Sequence, residues 1–293
     1  MNKQRSSAVR PARHLAYFAI GALVSLAASV FAVGVAFGLS GVSGPTGGMA
    51  ATSAVLCVAL LLLSRWLLRR EGATLSDLGL LPDRERLRQF GLGLAIGAVL
   101  FLGVAGAQSA AVGARWDFLG GVGFRAAAIG LATTFVLVLA EELLFRGVAL
   151  RSLRALYGDR LAVVLTALLF GGYHLLQSEN WAMGAVFTFL TATLGGLVFG
   201  WAAVRSAGLA LPLGLHLGGN WVQASLTGFG PAVESGAEPT VHALWRISLS
   251  SADVRALTAP DLLPHLPYIV ALALAAVLVG RFIDDRHARP RAY

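Results

Sequence analysis

Long apolar stretches alternate with short polar segments along the whole chain. Eight of these stretches approach the roughly 20 residues that a membrane-spanning helix needs. The pattern predicts an all-α fold, a polytopic membrane bundle of about eight transmembrane helices. The predicted spans cover residues 15–41, 49–68, 91–113, 126–153, 161–177, 182–204, 207–227 and 264–282.

Composition and charge extend this prediction. Hydrophobic residues make up 57% of the 293 positions, charged residues make up 13%, and the mean hydropathy is +0.73. Because a soluble domain of this length is less apolar, we expect a multi-pass protein of the plasma membrane, surrounded by membrane lipid. Richness in Ala, Gly, Leu and Arg indicates a bacterial source.

The arginines set the expected orientation of the spans. The net charge is +8, and most arginines lie in alternate inter-span segments or in the terminal tails. Such a bias marks the cytoplasmic side, so both termini are predicted to be cytoplasmic. Basic residues in these positions face lipid headgroups, and we expect no nucleic-acid partner.

Three parts of the chain differ in their polar content. Residues 1–120 contain the first transmembrane helices and a polar segment at 69–88, which either lies along the headgroups or forms a solvated loop. Residues 121–228 contain charged side chains within the spans and are expected to form the catalytic core. Residues 229–293 contain nearly all of a proline-rich external loop, 228–263, and the last transmembrane helix.

The fourth predicted span contains the run A-E-E-L-L-F-R-G, which carries three charged residues well inside the span. Ionisable side chains are costly at bilayer depth, so their presence there indicates a function. Glu142 and Arg146 are four residues apart and can form an ion pair on one helix face. Glu141 is rotated by about 100° around the helix. The pattern predicts one anchored carboxylate and one that is free to act as a base.

Two other spans each carry a histidine in an i,i+4 pair. The fifth contains Phe170 and His174, and the seventh contains His216 and Asn220. At about 1.5 Å per residue, Glu141, His174 and His216 lie about 16–21 Å along their helices from cytoplasmic-side arginines. Their polar groups are therefore predicted to share one layer. Carboxylates, imidazoles and an amide in an apolar cavity can activate water and stabilise an oxyanion.

The ordered motifs E-E-x-x-x-R, F-x-x-x-H and H-x-x-x-N resemble the signature of the CPBP family, the CAAX-protease and bacteriocin-processing intramembrane peptidases. The segment T-L-S-D-L-G-L at 74–80 is similar to a segment that bacterial members place before a membrane span. The resemblance implies that Glu141 is the general base, assisted by His174. It also implies that His216 and Asn220 stabilise the oxyanion.

The remaining motif residues have supporting roles in this family. The resemblance implies that Glu142 and Arg146 orient the site and that Phe170 packs beside it. Metal dependence stays open, because Glu141, His174 and His216 could ligate Zn²⁺ whereas the H-E-x-x-H motif of zinc peptidases is absent. The enzyme is therefore expected to be either a glutamate-type peptidase without a cofactor or a zinc peptidase.

Two function classes follow from the sequence. The first is an intramembrane endopeptidase whose substrate is a membrane-associated peptide or protein, either unmodified or lipid-modified. The second is a non-proteolytic membrane protein, such as an immunity-type scaffold or a transporter, that uses the same fold. A scaffold should tolerate Glu141→Gln, whereas a hydrolase should lose its activity.

Overall fold

A computed structural model describes residues 2–40, 45–177, 183–228, 243–248, 251–257 and 265–282. This part of the chain is mostly helical, as predicted. Most of the predicted external loop lies outside the described residues. The helices are α1 (Asn2–Ser40), α2 (Pro45–Arg69), α3 (Arg84–Val112), α4 (Gly120–Arg146), α5 (Val148–Gln177), α6 (Met183–Arg205), α7 (Ala210–Trp221), α8 (Ser251–Leu257) and α9 (Leu266–Phe282), with a 3-10 turn at Leu75–Leu78 and a π-helical turn at Val222–Leu226.

Several helices are suited to the membrane interior. Within the described residues, five stretches are long and apolar enough to cross a bilayer, and α9 is a shorter apolar helix. The chain is therefore a helical membrane protein, whereas eight spans and cytoplasmic termini stay predictions. The five stretches are Arg10–Ala36, Ala50–Arg69, Arg84–Val112, Gly120–Leu176, which contains both α4 and α5, and Ala185–Arg205.

The boundary between α4 and α5 differs from the prediction. The sequence predicts one continuous span over 126–153, but α4 ends at Arg146 and the backbone turns at Gly147. A Cβ at Gly147 would lie 2.5 Å from the carbonyl oxygen of Leu143, so a larger residue does not fit there. α5 bends again at Gly158, whose φ of 78° favours glycine. The prediction is wrong because hydropathy does not detect a glycine turn between two apolar stretches.

α7 packs against α3 through two pairs of glycines. A Cβ at Gly93 or Gly97 would lie within 2.4 Å of a carbonyl oxygen of α7. A Cβ at Gly214 or Gly218 would likewise lie within 2.3 Å of a carbonyl oxygen of α3. Each pair is a G-x-x-x-G motif, which lets two helix backbones come into direct contact. The position of α7 is therefore tightly constrained by α3.

A short antiparallel sheet joins two distant parts of the chain. Strand β1 (Arg115–Phe118) pairs with β2 (Trp245–Ser248), and the rings of Phe118 and Trp245 pack with centroids 4.9 Å apart. The all-α prediction missed this sheet because four residues are too few to show an alternating pattern. The pairing connects residues 1–120 with residues 229–293.

The polar segment 69–88 is docked on the protein. Leu78, in its 3-10 turn, is buried, and the carbonyl oxygen of Leu78 accepts a hydrogen bond from Leu209 N at 2.8 Å. Leu209 directly precedes α7. The segment therefore supports the start of α7. The sequence predicts either an element along the headgroups or a solvated loop here, and neither prediction includes this contact.

Candidate active site

The C-terminal end of α4 places two adjacent carboxylates in the protein interior. Glu141 is 6% exposed and Glu142 is fully buried. Arg146, one helical turn further along, is also buried and donates from Nη1 to Glu142 Oε1 at 3.2 Å. Arg146 Nη2 lies 3.4 Å from the carbonyl oxygen of Gly196 on α6. This i,i+4 ion pair is inside the protein and away from solvent.

His216 on α7 contacts the same carboxylate oxygen. Its Nδ1–H donates to Glu142 Oε1 at 2.9 Å, across the interface between α4 and α7. The imidazole stacks on Phe199 of α6, with centroids 4.4 Å apart and ring planes 18° from parallel. These two contacts hold the ring orientation and direct Nε2 toward the other polar residues of the site.

Two polar atoms lie close to Nε2 of His216. Asn220 Nδ2 is 3.2 Å away, and Glu141 Oε2 is 3.5 Å away. Within the described residues Glu141 Oε2 is buried and has no hydrogen-bond partner. Buried carboxylate oxygens normally have partners, so the lone pairs of Glu141 are available to accept a proton from a bound molecule.

His174 on α5 lies at the edge of this group. Its Nδ1–H donates to the carbonyl oxygen of Phe170 at 3.0 Å, one turn earlier in the helix. The contacts of the described residues include no hydrogen bond between His174 and either glutamate. His174 thus adjoins the group through the ring of Phe170, which contacts both His174 and His216.

Aromatic rings surround the buried guanidinium. The Cζ atom of Arg146 lies 4.2 Å from the ring centroid of Phe170 and 5.4 Å from that of Phe199. The ring of Phe170 also packs edge-on against the rings of His174, at 4.4 Å, and His216, at 5.7 Å. The rings exclude water from the ion pair and offer favourable cation–π contacts.

The formal charges of the site suit acid–base chemistry. Arg146 compensates one of the two carboxylates, so one formal negative charge remains near Glu141 and His216. The carboxylate of Glu141 and the imidazole of His216 face each other at 3.5 Å. Such a pair can take up and return a proton during a reaction.

The three residues expected to ligate zinc do not form a metal cluster. Within the described residues no group of three or more His, Cys, Asp or Glu side chains is arranged to hold a metal ion. His174 Nδ1 is engaged by Phe170 and His216 Nδ1 by Glu142, so each imidazole offers Nε2 alone. A catalytic zinc takes three protein donors and a water. In this geometry Glu141, His174 and His216 are not gathered around one point.

The structure brings most of the candidate residues together and adds others. Glu141, Glu142, Arg146, His216 and Asn220 form one connected group, with Phe170 and His174 beside it. Sequence reasoning missed the stacking of Phe199, because α6 is apolar throughout. It also missed the packing role of Gly93 and Gly97, although their G-x-x-x-G spacing can be read from the sequence.

Comparison with known proteins agrees with the motifs. Residues 123–222 match the model of a family described as type II CAAX prenyl endopeptidase Rce1-like. The matched segment runs from the start of α4 to the end of α7 and contains every candidate residue. The match confirms the resemblance to the CAAX-type intramembrane peptidases. No curated protein and no solved structure was found to match this chain.

Proposed function

We propose that the chain, whose residues 123–222 carry this match to a peptidase family, is an intramembrane endopeptidase. The observation that carries the proposal is the buried Oε2 of Glu141, which lies 3.5 Å from His216 Nε2 and accepts no hydrogen bond within the described residues. A carboxylate that is costly to bury and is not held by hydrogen bonds is typical of a catalytic base.

Glu141 acts as the general base in this proposal. Its Oε2 removes a proton from water as the water oxygen forms a bond to the carbonyl carbon of the peptide. The same carboxyl group then returns the proton to the amide nitrogen as the C–N bond breaks. His174, whose ring packs on Phe170 beside the site, assists in orienting the water.

His216 and Asn220 stabilise the negative oxygen of the tetrahedral intermediate. Asn220 Nδ2 carries two hydrogens, and one of them is available to the substrate while the other faces His216. In this arrangement His216 Nε2 is the acceptor; when His216 is protonated, its Nε2–H becomes a second donor and Asn220 Nδ2 turns its hydrogens toward the substrate oxygen instead. Hydrogen-bond donors placed in a water-poor site contribute strongly to catalysis.

Glu142 and Arg146 position His216. Glu142 Oε1 holds Nδ1 of His216 at 2.9 Å, and Arg146 compensates the charge of Glu142 from the other side. A carboxylate behind an imidazole fixes the ring and stabilises its protonated form, as in the catalytic triads of soluble hydrolases. Neither residue needs to touch the substrate.

The expected substrate is a membrane-associated peptide or protein cleaved near the cytoplasmic face. Glu141 and Arg146 lie at the end of α4, and the adjoining segment 147–160 is arginine-rich, as cytoplasmic segments are. A lipid-modified substrate agrees with the family name, and an unmodified peptide agrees with the bacterial plasma membrane that composition suggests. We propose residues 121–228 as the catalytic core.

Cleavage by the purified protein tests this function. The full chain in detergent is incubated with a farnesylated peptide ending in a CAAX sequence and, separately, with a library of unmodified membrane-spanning peptides, and products are identified by mass spectrometry. We expect cleavage of at least one probe, undiminished by a chelator because Glu141 activates the water without a metal in this proposal.

One control variant accompanies this test, and two results would contradict the proposal. Asp117→Asn changes an exposed carboxylate on β1 that pairs with Arg246 on the surface and should leave cleavage unchanged. Absence of cleavage of both probe classes would overturn the proposal and favour the scaffold or transporter. Loss of cleavage with chelator, restored by Zn²⁺, would overturn the metal-free mechanism alone.

A further inference from the structure

The turn between α6 and α7, residues 206–209, determines where α7 begins. Ala207 has a φ of 50°, a left-handed conformation that residues with a side chain rarely adopt. Local hydrogen bonds from Ala207 N to Val204 O, at 3.3 Å, and from Gly208 N to Ala203 O, at 3.1 Å, close the turn. Such a backbone conformation persists where other contacts stabilise it.

Arg86, in the first turn of α3, supplies contacts of this kind. Its Nη1 donates to Ser206 O at 2.7 Å and its Nη2 donates to Ala207 O at 3.1 Å. Nη1 also lies 3.0 Å from Oε1 of the buried Gln89. The planar guanidinium thus bonds two consecutive carbonyl groups, which the single ammonium of lysine cannot do with the same geometry.

Two glycines allow this close approach. Gly79 has a φ of 69°, and a Cβ there would lie 2.9 Å from the Cα of Gly208. A Cβ at Gly208 would lie 2.8 Å from Nη1 of Arg86. Together with the hydrogen bond from Leu209 N to Leu78 O, these contacts join the start of α7 to the segment between α2 and α3.

The placement of this turn reaches the candidate site through α7. Leu209 and His216 are seven residues apart, so about 10 Å of helix separates them. α7 is a single helix from Ala210 to Trp221, packed on α3 through paired glycines, so the turn leads directly into the one continuous element that carries His216. A shift of the turn therefore moves His216 relative to Glu142, which belongs to another helix.

We propose that Arg86 is a positioning residue that sets the depth and rotation of α7, and through it the 2.9 Å contact between His216 Nδ1 and Glu142 Oε1. Arg86 lies outside the family-matched residues 123–222. Its effect on cleavage rests on the proposed function. Its effect on the placement of His216 is independent of any substrate.

Arg88 provides a matched control on the same helix. It carries the same charge two residues further along, and its guanidinium bonds Glu85 on the protein surface, at 2.7 and 2.8 Å. Arg88 shares Glu85 Oε1 with Gln89 Nε2, which bonds this oxygen at 3.0 Å. The bonds to the turn, however, come from Arg86. Arg88→Gln therefore removes one positive charge near the same membrane face and leaves the Arg86 bonds to the turn in place. Any effect of charge alone should appear in both variants.

Nuclear magnetic resonance of histidine-labelled protein tests the placement directly. The imidazole signals of His216 are assigned by their loss in His216→Gln protein. We expect Arg86→Gln to shift these signals, Arg86→Lys to shift them less, and Arg88→Gln to leave them unchanged. Cleavage by Arg86→Gln should fall by roughly 10- to 100-fold with an unchanged KM, because small displacements of a catalytic group are costly.

The outcomes separate this proposal from the proposed function. Unshifted His216 signals in Arg86→Gln protein, or equal shifts in Arg88→Gln protein, would overturn the positioning role. If Arg86→Gln does not fold, Arg86→Lys is compared with Arg88→Lys by the same criterion. The His216 signals could shift in Arg86→Gln protein while the wild type cleaves no probe. That result would support the positioning role of Arg86 and contradict the proposed peptidase function.

Discussion

Glu142 Oε1 accepts a hydrogen bond from His216 Nδ1 at 2.9 Å across the interface between α4 and α7. The adjacent Glu141 differs: Glu142 Oε1 is held by both His216 and Arg146, whereas the contact of Glu141 within the described residues is the 3.5 Å pairing of its Oε2 with His216 Nε2. Two consecutive glutamates thus have different environments. We infer that Glu142 serves the structure of the site and that Glu141 serves its chemistry.

Glu142→Gln should destabilise the protein. The substitution removes the charge that compensates Arg146, which is 3% exposed and lies against aromatic rings. Leaving one partner of a buried ion pair unpaired costs about 3–5 kcal/mol. We expect a decrease of this size in the free energy of unfolding, measured by denaturant titration in detergent micelles. A decrease below about 1 kcal/mol would contradict the structural role.

Gly97→Ala should weaken the contact between α3 and α7. The added Cβ would lie 2.2 Å from the carbonyl oxygen of Leu215, next to His216. Overpacking of this kind lowers the free energy of unfolding by about 1–3 kcal/mol. Gly103→Ala is the control, since a Cβ at Gly103 meets no atom within 4 Å. Equal thermal midpoints for the two variants would rule out the close packing.

Asn220→Ala should slow cleavage without unfolding the protein. Asn220 lies on α7 with Nδ2 at 3.2 Å from His216, and loss of one oxyanion donor typically lowers kcat by about 10²- to 10³-fold. We expect kcat to fall by this factor while KM and the thermal midpoint stay close to those of the wild type. A wild-type kcat would exclude Asn220 as an oxyanion donor.

The predicted orientation can be tested with single cysteines in a Cys57→Ser background. Arginine-rich segments are expected on the cytoplasmic side, and Ser76 belongs to one of them. The strand that carries Asp117 is expected on the opposite side. A membrane-impermeant maleimide should label Asp117→Cys in intact cells and Ser76→Cys only after permeabilisation. The reverse labelling would invert the assigned orientation.

Local features of the fold and site could be predicted from the sequence. The Glu142–Arg146 ion pair follows from the period of one helix, and the helices follow from the apolar stretches. The contact of Glu142 with His216 joins residues that are 74 positions apart. A common depth of the two side chains in the membrane predicts that they lie close together. That prediction counts the depth of Glu141 along one continuous helix to Arg154, whereas α4 ends at Arg146.

Other features depend on backbone contacts that hydropathy does not record. The close approach of α3 to the site depends on Gly93 and Gly97, whose importance appears only when the facing carbonyl groups of α7 are in place. The contact of Arg86 with the turn at 206–209 links residues about 120 positions apart through main-chain oxygens. Because any residue type has a carbonyl oxygen, the sequence does not indicate which residues Arg86 contacts.

The most direct test of the account is the ratio of cleavage rates between wild-type and Glu141→Gln protein on the same peptide. The substitution preserves side-chain size and removes the base, and within the described residues Glu141 Oε2 has no hydrogen bond to lose. We expect the rate to fall by about 10²- to 10⁴-fold, the usual contribution of a general base, with an unchanged thermal midpoint. A rate within about twofold of the wild type would contradict the role of Glu141 as the base that activates water.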